Sequence, residues 1–167
     1  MSTKSLIELI ERLCQPGQRA RTGIWLVPDG ELGREEDILQ RMSRTCDVID
    51  LRQAVLKRRP AQTQYAGINP ENIHKWLDDI LETEVSTDCA VLLHFDLLLA
   101  YLPAPERERT LEILKISFIR RGKAMVIALP KRAVGLLFKE ETAAAWQAEK
   151  RLVDDENERR KANEGML

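Results

Sequence analysis

Four short runs of apolar residues, each closed by turn-forming or charged residues, constrain the fold of this chain more than any other feature. The runs are GIWLV at 23–27, DVIDL at 47–51, CAVLL at 89–93 and AMVIAL at 124–129. Continuous apolar runs of this length are typical of strands that are buried on both faces. Segments with helical spacing of apolar residues alternate with them. The pattern predicts an α/β fold, a three-layer domain in which helices flank a parallel sheet of four to five strands.

The helical segments follow from the same reading of apolar periodicity and capping residues. Helices are predicted at 4–14, 34–42, 70–84, 105–121 and from 133 to about 160. Asn69 and Pro70 are typical of an N-cap and a first helical position, and 52–68 is interpreted as a loop with one short helix.

The charged end of the chain is interpreted separately. A long C-terminal helix is expected to project into solvent, as an extension at 146–167 beyond an α/β domain at 1–145.

Composition excludes several classes of protein. The 167 residues carry 26 basic and 27 acidic side chains, so a chain-wide field for nucleic acid or membrane is absent. Cys14, Cys46 and Cys89 are odd in number and widely spaced, which argues against a disulfide frame or structural zinc. No apolar run approaches about 20 residues, and Glu8 and Glu11 interrupt the first one. We therefore expect a cytoplasmic protein without membrane contact.

A ligand site in such a sheet is expected beyond the carboxyl ends of the strands. Segments 28–33, 50–52, 94–96 and 130–132 end there. A site built there should draw on Asp29, Glu31, Arg34, Arg52, His94, Asp96, Lys131 and Arg132. The alternative is that these residues are solvated strand ends with no ligand.

The first of these turns, PDGELGRE at 28–35, has the position of a Walker A phosphate loop. The last glycine is present as Gly33, but Pro28 stands at the first glycine. Arg34 and Glu35 stand at the lysine and the hydroxyl. The alternative is an ordinary turn in which Gly30 and Gly33 are hinges.

The charges of this turn oppose a phosphate. Asp29 and Glu31 stand where phosphate oxygens would lie, and carboxylates repel anions at short range. Proline removes an N–H group that would face the ligand. The turn therefore has the shape of a phosphate loop without its chemistry.

The third strand and the residues after it are similar to a Walker B strand, which delivers an aspartate to magnesium. His94 takes the aspartate position, Phe95 follows, and Asp96 is displaced by two residues. The alternative, a structural histidine that closes the strand, is favoured over a general base.

Taken together, GIWLVPDGELGREEDIL, DVIDL, DCAVLLHFDLLLAYL and KAMVIALP resemble the P-loop NTPase class, nearer its AAA+ branch, in degenerate form. More narrowly, the chain resembles the small P-loop-like accessory protein of BREX phage-defence systems over roughly residues 20–135. The resemblance implies a phosphate loop at Gly30, Gly33 and Arg34 and a magnesium position at His94 or Asp96. Since the decisive lysine and hydroxyl are replaced, neither nucleotide hydrolysis nor a cofactor is expected.

Three functions stay open at this stage. The first, which the resemblance favours, is a non-catalytic interaction or scaffold component of a DNA-associated antiviral defence assembly, with other protein subunits or a second copy as partner. The second is a metal-dependent, nuclease-like enzyme with Asp29, Glu31 and Asp96 around Mg²⁺ or Mn²⁺. The third is a DNA-binding accessory subunit, with contacts from two basic segments at one edge of the sheet. Its candidate anion contacts are Arg52, Arg58, Arg59, Lys131 and Arg132.

Overall fold

The fold is a parallel sheet between two layers of helices. The computed structural model describes residues 3–58, 68–117 and 122–165. Its strands are β1 (Thr22–Val27), β2 (Asp47–Asp50), β3 (Cys89–Leu93), β4 (Ala124–Pro130) and β5 (Leu152–Asp154). All neighbouring strands are parallel, in the order β2-β3-β4-β1-β5. The predicted α/β class is confirmed.

Two helices cover one face of the sheet. They are α1 (Lys4–Leu13) and α2 (Glu35–Gln40). Leu9 and Ile10 of α1 pack with alternate residues of β1, Trp25 and Val27, in one apolar core. The apolar residues of α1 recur at helical spacing, so burying that single stripe fixes the helix against the sheet.

The remaining helices lie mainly on the opposite face. They are α3 (Leu51–Arg58), α4 (Pro70–Thr83), α5 (Phe95–Ala100), α6 (Ala104–Ser117), α7 (Ala133–Leu136) and α8 (Glu140–Ala148), with α9 (Asp155–Glu164) following β5. Ile24 and Leu26, the other alternate residues of β1, belong to this second core. The two cores explain why the strands are apolar on both faces. None of the helices, as far as the structure describes them, has the length and apolar character to cross a membrane.

Local signals placed several element ends correctly. The Asn69 side chain accepts a hydrogen bond from the Asn72 amide at 2.8 Å, and Pro70 is the first residue of α4.

Hydrogen bonds of one carboxylate join the start of β2 to the turn before β3. Asp47 accepts hydrogen bonds from the Thr87 amide at 2.8 Å, the Thr87 hydroxyl at 2.6 Å and the Ser86 amide at 3.0 Å.

The predicted long C-terminal helix was wrong. Gly135, with φ of 89°, interrupts the segment after β4, and Lys150, with φ of 58°, ends the turn after α8. Residues 152–154 then pair with β1 as the fifth strand. The segment 146–167 therefore supplies part of the sheet: residues 151–155 are buried, between exposed residues at 147–150 and the exposed side chains of α9.

Buried polar contacts hold this last strand in place. The Arg151 side chain is 7% exposed, and its Nε donates to the Thr22 carbonyl at 2.8 Å. Its Nη2 donates to the Lys115 carbonyl at 3.2 Å and to the Thr22 hydroxyl, while the guanidinium lies 4.5 Å from the centre of the Trp146 ring. One arginine thus joins β5 to β1, α6 and α8.

Candidate functional site

The strand order places one crevice in the sheet where a ligand is expected. The chain leaves β1 through α2 on one face of the sheet, and it leaves β4 through α8 on the other. Because β1 and β4 are neighbours, their carboxyl ends form the topological switch point at which open α/β sheets bind ligands. Residues 28–34 and 130–132 border this crevice.

An ion pair spans the crevice. Arg132 Nε lies 3.3 Å from Asp29 Oδ1, and the two side chains are 63% and 61% exposed. An exposed pair of this kind is worth at most about 1 kcal/mol, so a strongly bound competitor could displace it. Beside it, Lys131 Nζ lies 3.1 Å from Glu156 and 3.5 Å from Asp154. Both cations at the end of β4 are thus shared with carboxylates of the same chain.

The loop after β1 uses its backbone N–H groups internally. The Glu31 amide donates to the Pro28 carbonyl at 2.9 Å, and the Arg34 amide donates to the Glu31 carbonyl at 3.0 Å. The following helix α2 has only six residues, and acidic side chains fill its first turn. These carboxylates already offset the positive end of the helix dipole. The amides of Glu31 and Arg34 are therefore not free to hold a phosphate.

The residues of the predicted phosphate loop have ordinary conformational roles. Gly33 has φ of 85°, a left-handed conformation that glycine adopts without strain, whereas Gly30 does not. A Cβ atom added at either position would meet nothing within 4 Å. Arg34 precedes α2 without capping it, and with Glu31 it lines a pocket of about 220 Å³ that also contains Asp37 and Arg41.

The end of β3 contains a backbone outlier. His94 has φ of 68° and ψ of 25° and stands immediately before α5. Histidine is among the residue types enriched in this left-handed region. Its carbonyl accepts a hydrogen bond from the Leu97 amide at 3.2 Å. The conformation lets the chain turn at once from β3 into α5, which accounts for His94 as a turn residue.

The acidic residues proposed for a metal are not gathered. Asp29 and Glu31 follow β1, whereas Asp96 is in the first turn of α5 after β3, and β4 lies between these strands. Two strand spacings separate the backbones by about 10 Å. Among residues 3–58, 68–117 and 122–165, no three His, Cys, Asp or Glu side chains are positioned to hold a metal ion.

The basic residues proposed for DNA are also dispersed and paired. Arg52 Nη2 lies 2.9 Å from Asp50, and hydrogen bonds from Arg52, with help from His94, hold the pKa of Asp50 below its usual value despite burial. Arg58 contacts Asp79 and Glu84, each at 2.8 Å, and is 13% exposed.

These contacts separate the two predicted basic segments. Glu84 follows α4, on the way to the amino end of β3. Arg58 is therefore directed away from the edge that holds Lys131 and Arg132. The expectation that both segments share one edge was wrong for Arg58, and Arg59 lies outside the described residues.

Sequence reasoning missed a group of exposed apolar side chains at the carboxyl edge. Leu97 and Tyr101, on α5 and directly after it, are 42% and 75% exposed, and Leu136 on α7 is 69% exposed. Arg107 joins these regions, because its Nε donates to the Leu99 and Leu102 carbonyls and its Nη1 lies 3.5 Å from the Leu136 carbonyl.

A groove lies beside Leu136. It has a volume of about 440 Å³ between the start of α6 and the residues around α7. Leu136 and Phe138 line one side, and Pro105 lines the other. The only sequence signal was the apolar run at 97–102, which is longer than the buried face of α5 requires.

The comparisons with known proteins add no relative. No family model matches the chain, and no curated protein or solved structure shows significant similarity to it. The fold and the site define a parallel α/β domain whose switch-point crevice is crossed by its own ion pair and which exposes apolar side chains on the segments after β3 and β4.

Proposed function

We propose that this chain is a non-catalytic interaction module with a degenerate P-loop-like fold, which docks onto other protein subunits through the carboxyl edge of its sheet. One observation carries the proposal. Beside a crevice whose charges are internally paired, Leu97, Tyr101 and Leu136 expose apolar surface together with a groove. Exposed apolar surface grouped at one edge is typical of protein–protein contact.

The chemistry of the crevice supports a role without nucleotide hydrolysis. A triphosphate there would meet Asp29 and Glu31 at close range, and two charges about 4 Å apart interact by about 4 kcal/mol at an effective dielectric constant near 20. No lysine or hydroxyl follows Gly33 to hold a phosphate or magnesium. Binding would also require Arg132 to leave Asp29.

The resemblance to P-loop accessory proteins supports a more specific setting. The loop after β1 stands at the switch point, where a phosphate loop is expected in that class. We extend the proposal to a cytoplasmic component of a bacterial phage-defence assembly of the BREX type. Its partners would be larger subunits of that assembly, and a second copy of the chain would be an alternative occupant of the same edge.

The two alternatives, a metal-dependent enzyme and a DNA-binding subunit, have less support. The three carboxylates Asp29, Glu31 and Asp96 are divided between two strand ends. The described basic side chains of the DNA hypothesis are each paired with a carboxylate. A magnesium-dependent cut in a DNA duplex, or salt-sensitive retention of the duplex, would favour one of them over the docking proposal.

The nucleotide part of the proposal is tested with the purified chain, magnesium and ATP. We expect no phosphate release and no change of melting temperature. A ligand at about 100 times its Kd would stabilise the fold by about 2.7 kcal/mol, which a melting curve detects readily. Turnover that Arg34→Ala abolishes would refute the proposal.

The docking part is tested by charge substitutions at exposed apolar positions. Tagged wild type, Leu136→Glu and Tyr101→Glu are captured from the host with their bound subunits, and Leu56→Glu on α3 serves as the control because Leu56 is 62% exposed. We expect the subunits to be lost from the first two variants only. Equal recovery from all four proteins would refute docking at this edge, and light scattering of the pure chain tests self-association.

A further inference from the structure

Three cysteines that are far apart in the sequence meet at the amino end of the sheet. Cys14 directly follows α1, Cys46 directly precedes β2, and Cys89 is the first residue of β3. The side chains of Cys14 and Cys46 both lie next to Cys89: Cys14 contacts the carbonyl of the residue before it, and Cys46 neighbours it in the register of β2 with β3. All three are free, and all three contact the core beneath α1 and α2.

The strand register explains why they meet. Asp47 of β2 is paired with Ala90 of β3, so Cys46 lies alongside Cys89 one position earlier. Helix α1 packs on the same face and delivers Cys14 to this end, where its Sγ lies 3.7 Å from the Asp88 carbonyl. This edge is opposite the one proposed for docking.

The three sulfur atoms differ in access and environment. Cys89 is fully buried, whereas Cys14 and Cys46 are half-buried at the ends of loops. Arg44, which is paired with Asp88 at 2.6 Å, is near enough to the Cys14 thiol for its charge to lower the pKa of that thiol. A small oxidant can therefore reach Cys14, and a guanidinium stands beside it to stabilise a thiolate.

The pKa values of Cys14 and Cys89 differ in the same way as their exposure. The hydrogen bond from Cys89 lowers the pKa of Cys14 to about 7, against the opposing effects of burial and Asp88 and with help from Arg44. The pKa of Cys89 is raised by its interactions with Cys14 and Cys46 and by burial. Near neutral pH a substantial share of Cys14 is therefore thiolate, whereas Cys89 keeps its proton.

We propose that Cys14, Cys46 and Cys89 form an oxidisable thiol site, in which a hydroperoxide oxidises Cys14 and Cys89 then closes a disulfide bond with it. The described part of the chain offers no arrangement of such groups that would hold a metal ion.

The reaction has two steps. The Cys14 thiolate attacks one peroxide oxygen, the O–O bond breaks, and the product is a sulfenic acid with release of an alkoxide or hydroxide. The Cys89 sulfur then attacks the Cys14 sulfur, the S–O bond breaks, and water leaves with the Cys89 proton. The two thiols supply the two electrons that reduce the peroxide. Cys46, which lies next to Cys89, is not consumed.

Peptide mapping tests the connectivity directly. The reduced full-length protein is exposed to hydrogen peroxide, alkylated and cut with trypsin, which places the cysteines in peptides 13–19, 45–52 and 76–107. We expect a species that joins peptides 13–19 and 76–107 with the loss of two hydrogen atoms and that disappears on reduction. It should persist in Cys46→Ser and be absent from Cys14→Ser and Cys89→Ala. A bond between peptides 45–52 and 76–107, or irreversible oxidation alone, would overturn the assignment.

The role of Arg44 is tested by alkylation kinetics. The rate at which iodoacetamide modifies Cys14 should rise through a midpoint near pH 7 in the wild type. Arg44→Gln should move that midpoint to higher pH and slow disulfide formation, whereas Arg41→Gln, an exposed arginine three residues earlier, should do neither. An unchanged midpoint in Arg44→Gln, or an equal change in both variants, would contradict the mechanism.

Discussion

Replacing Arg151 by methionine tests whether a single buried cation fastens the last strand to the sheet. The change keeps an unbranched chain but removes donors to the carbonyls of Thr22 and Lys115 and to the Thr22 hydroxyl, the half-exposed ion pair with Glu149 and the contact with the Trp146 ring. Two hydrogen bonds from a charged donor are worth about 1.5 kcal/mol each, and the ring contact adds about 1 kcal/mol. The substitution also removes the free-energy cost of burying the guanidinium, and this offsets part of the loss. The same burial lowers the pKa of Arg151. We expect a net loss of about 3 kcal/mol.

Urea unfolding followed by circular dichroism measures this loss. For a chain of this size about 3 kcal/mol corresponds to a decrease of roughly 9 °C in melting temperature. Arg160→Met, at an exposed position of α9, is the control and should change the free energy of unfolding by less than about 0.5 kcal/mol. If Arg151→Met stayed within about 1 kcal/mol of the wild type at an unchanged urea slope, desolvation of the cation would have cancelled its contacts. The fastening role would then be refuted.

Four further substitutions test local features by the same unfolding measurement, with Gly30→Ala as the comparison for Gly33→Ala. Gly33→Ala should cost about 1 kcal/mol because φ is 85°, while Gly30→Ala should cost less than about 0.5 kcal/mol; equal costs would contradict this reading of the turn. Asp47→Asn should cost about 1.5 kcal/mol at neutral pH through its weaker acceptor. Burial raises the pKa of Asp47, but hydrogen bonds from Thr87 and Ser86 outweigh it and lower the pKa. The stabilisation by Asp47 is therefore complete above about pH 4 and is lost as the pH falls through the lower pKa of the folded state. If the free energy of unfolding of Asp47→Asn fell with decreasing pH as steeply as that of the wild type, this reasoning would be refuted. Arg132→Ala should cost at most about 1 kcal/mol, because its ion pair is exposed, and a much larger loss would show a structural role.

The sequence predicted the layers of the fold because the relevant signals are local. The apolar runs predicted the ends of β1 to β4 to within one residue, and the Asn69 cap identified the start of α4. Strand β5 was missed because it has three residues and is surrounded by charges. Its burial depends on pairing with β1, which is more than a hundred residues away, and Arg151 is buried only because distant carbonyls receive its donors.

The site was predictable in location but not in pairing. The residues after β1 and β4 do border one edge, as parallel strands require. That Arg132 meets Asp29 depends on strand order, which no local pattern contains. The thiol site was invisible for the same reason, since the meeting of Cys14 with Cys89 requires both the register of β2 with β3 and the packing of α1.

The position of β5 has a consequence during synthesis on the ribosome. Until residues 152–154 have emerged, β1 has β4 on one side only, and its other row of backbone N–H and C=O groups is open to water. An apolar strand with an unpaired edge is a template for pairing with another chain. A nascent or truncated chain that stops before Leu152 would therefore be prone to aggregate, even though most of its core residues had already been translated.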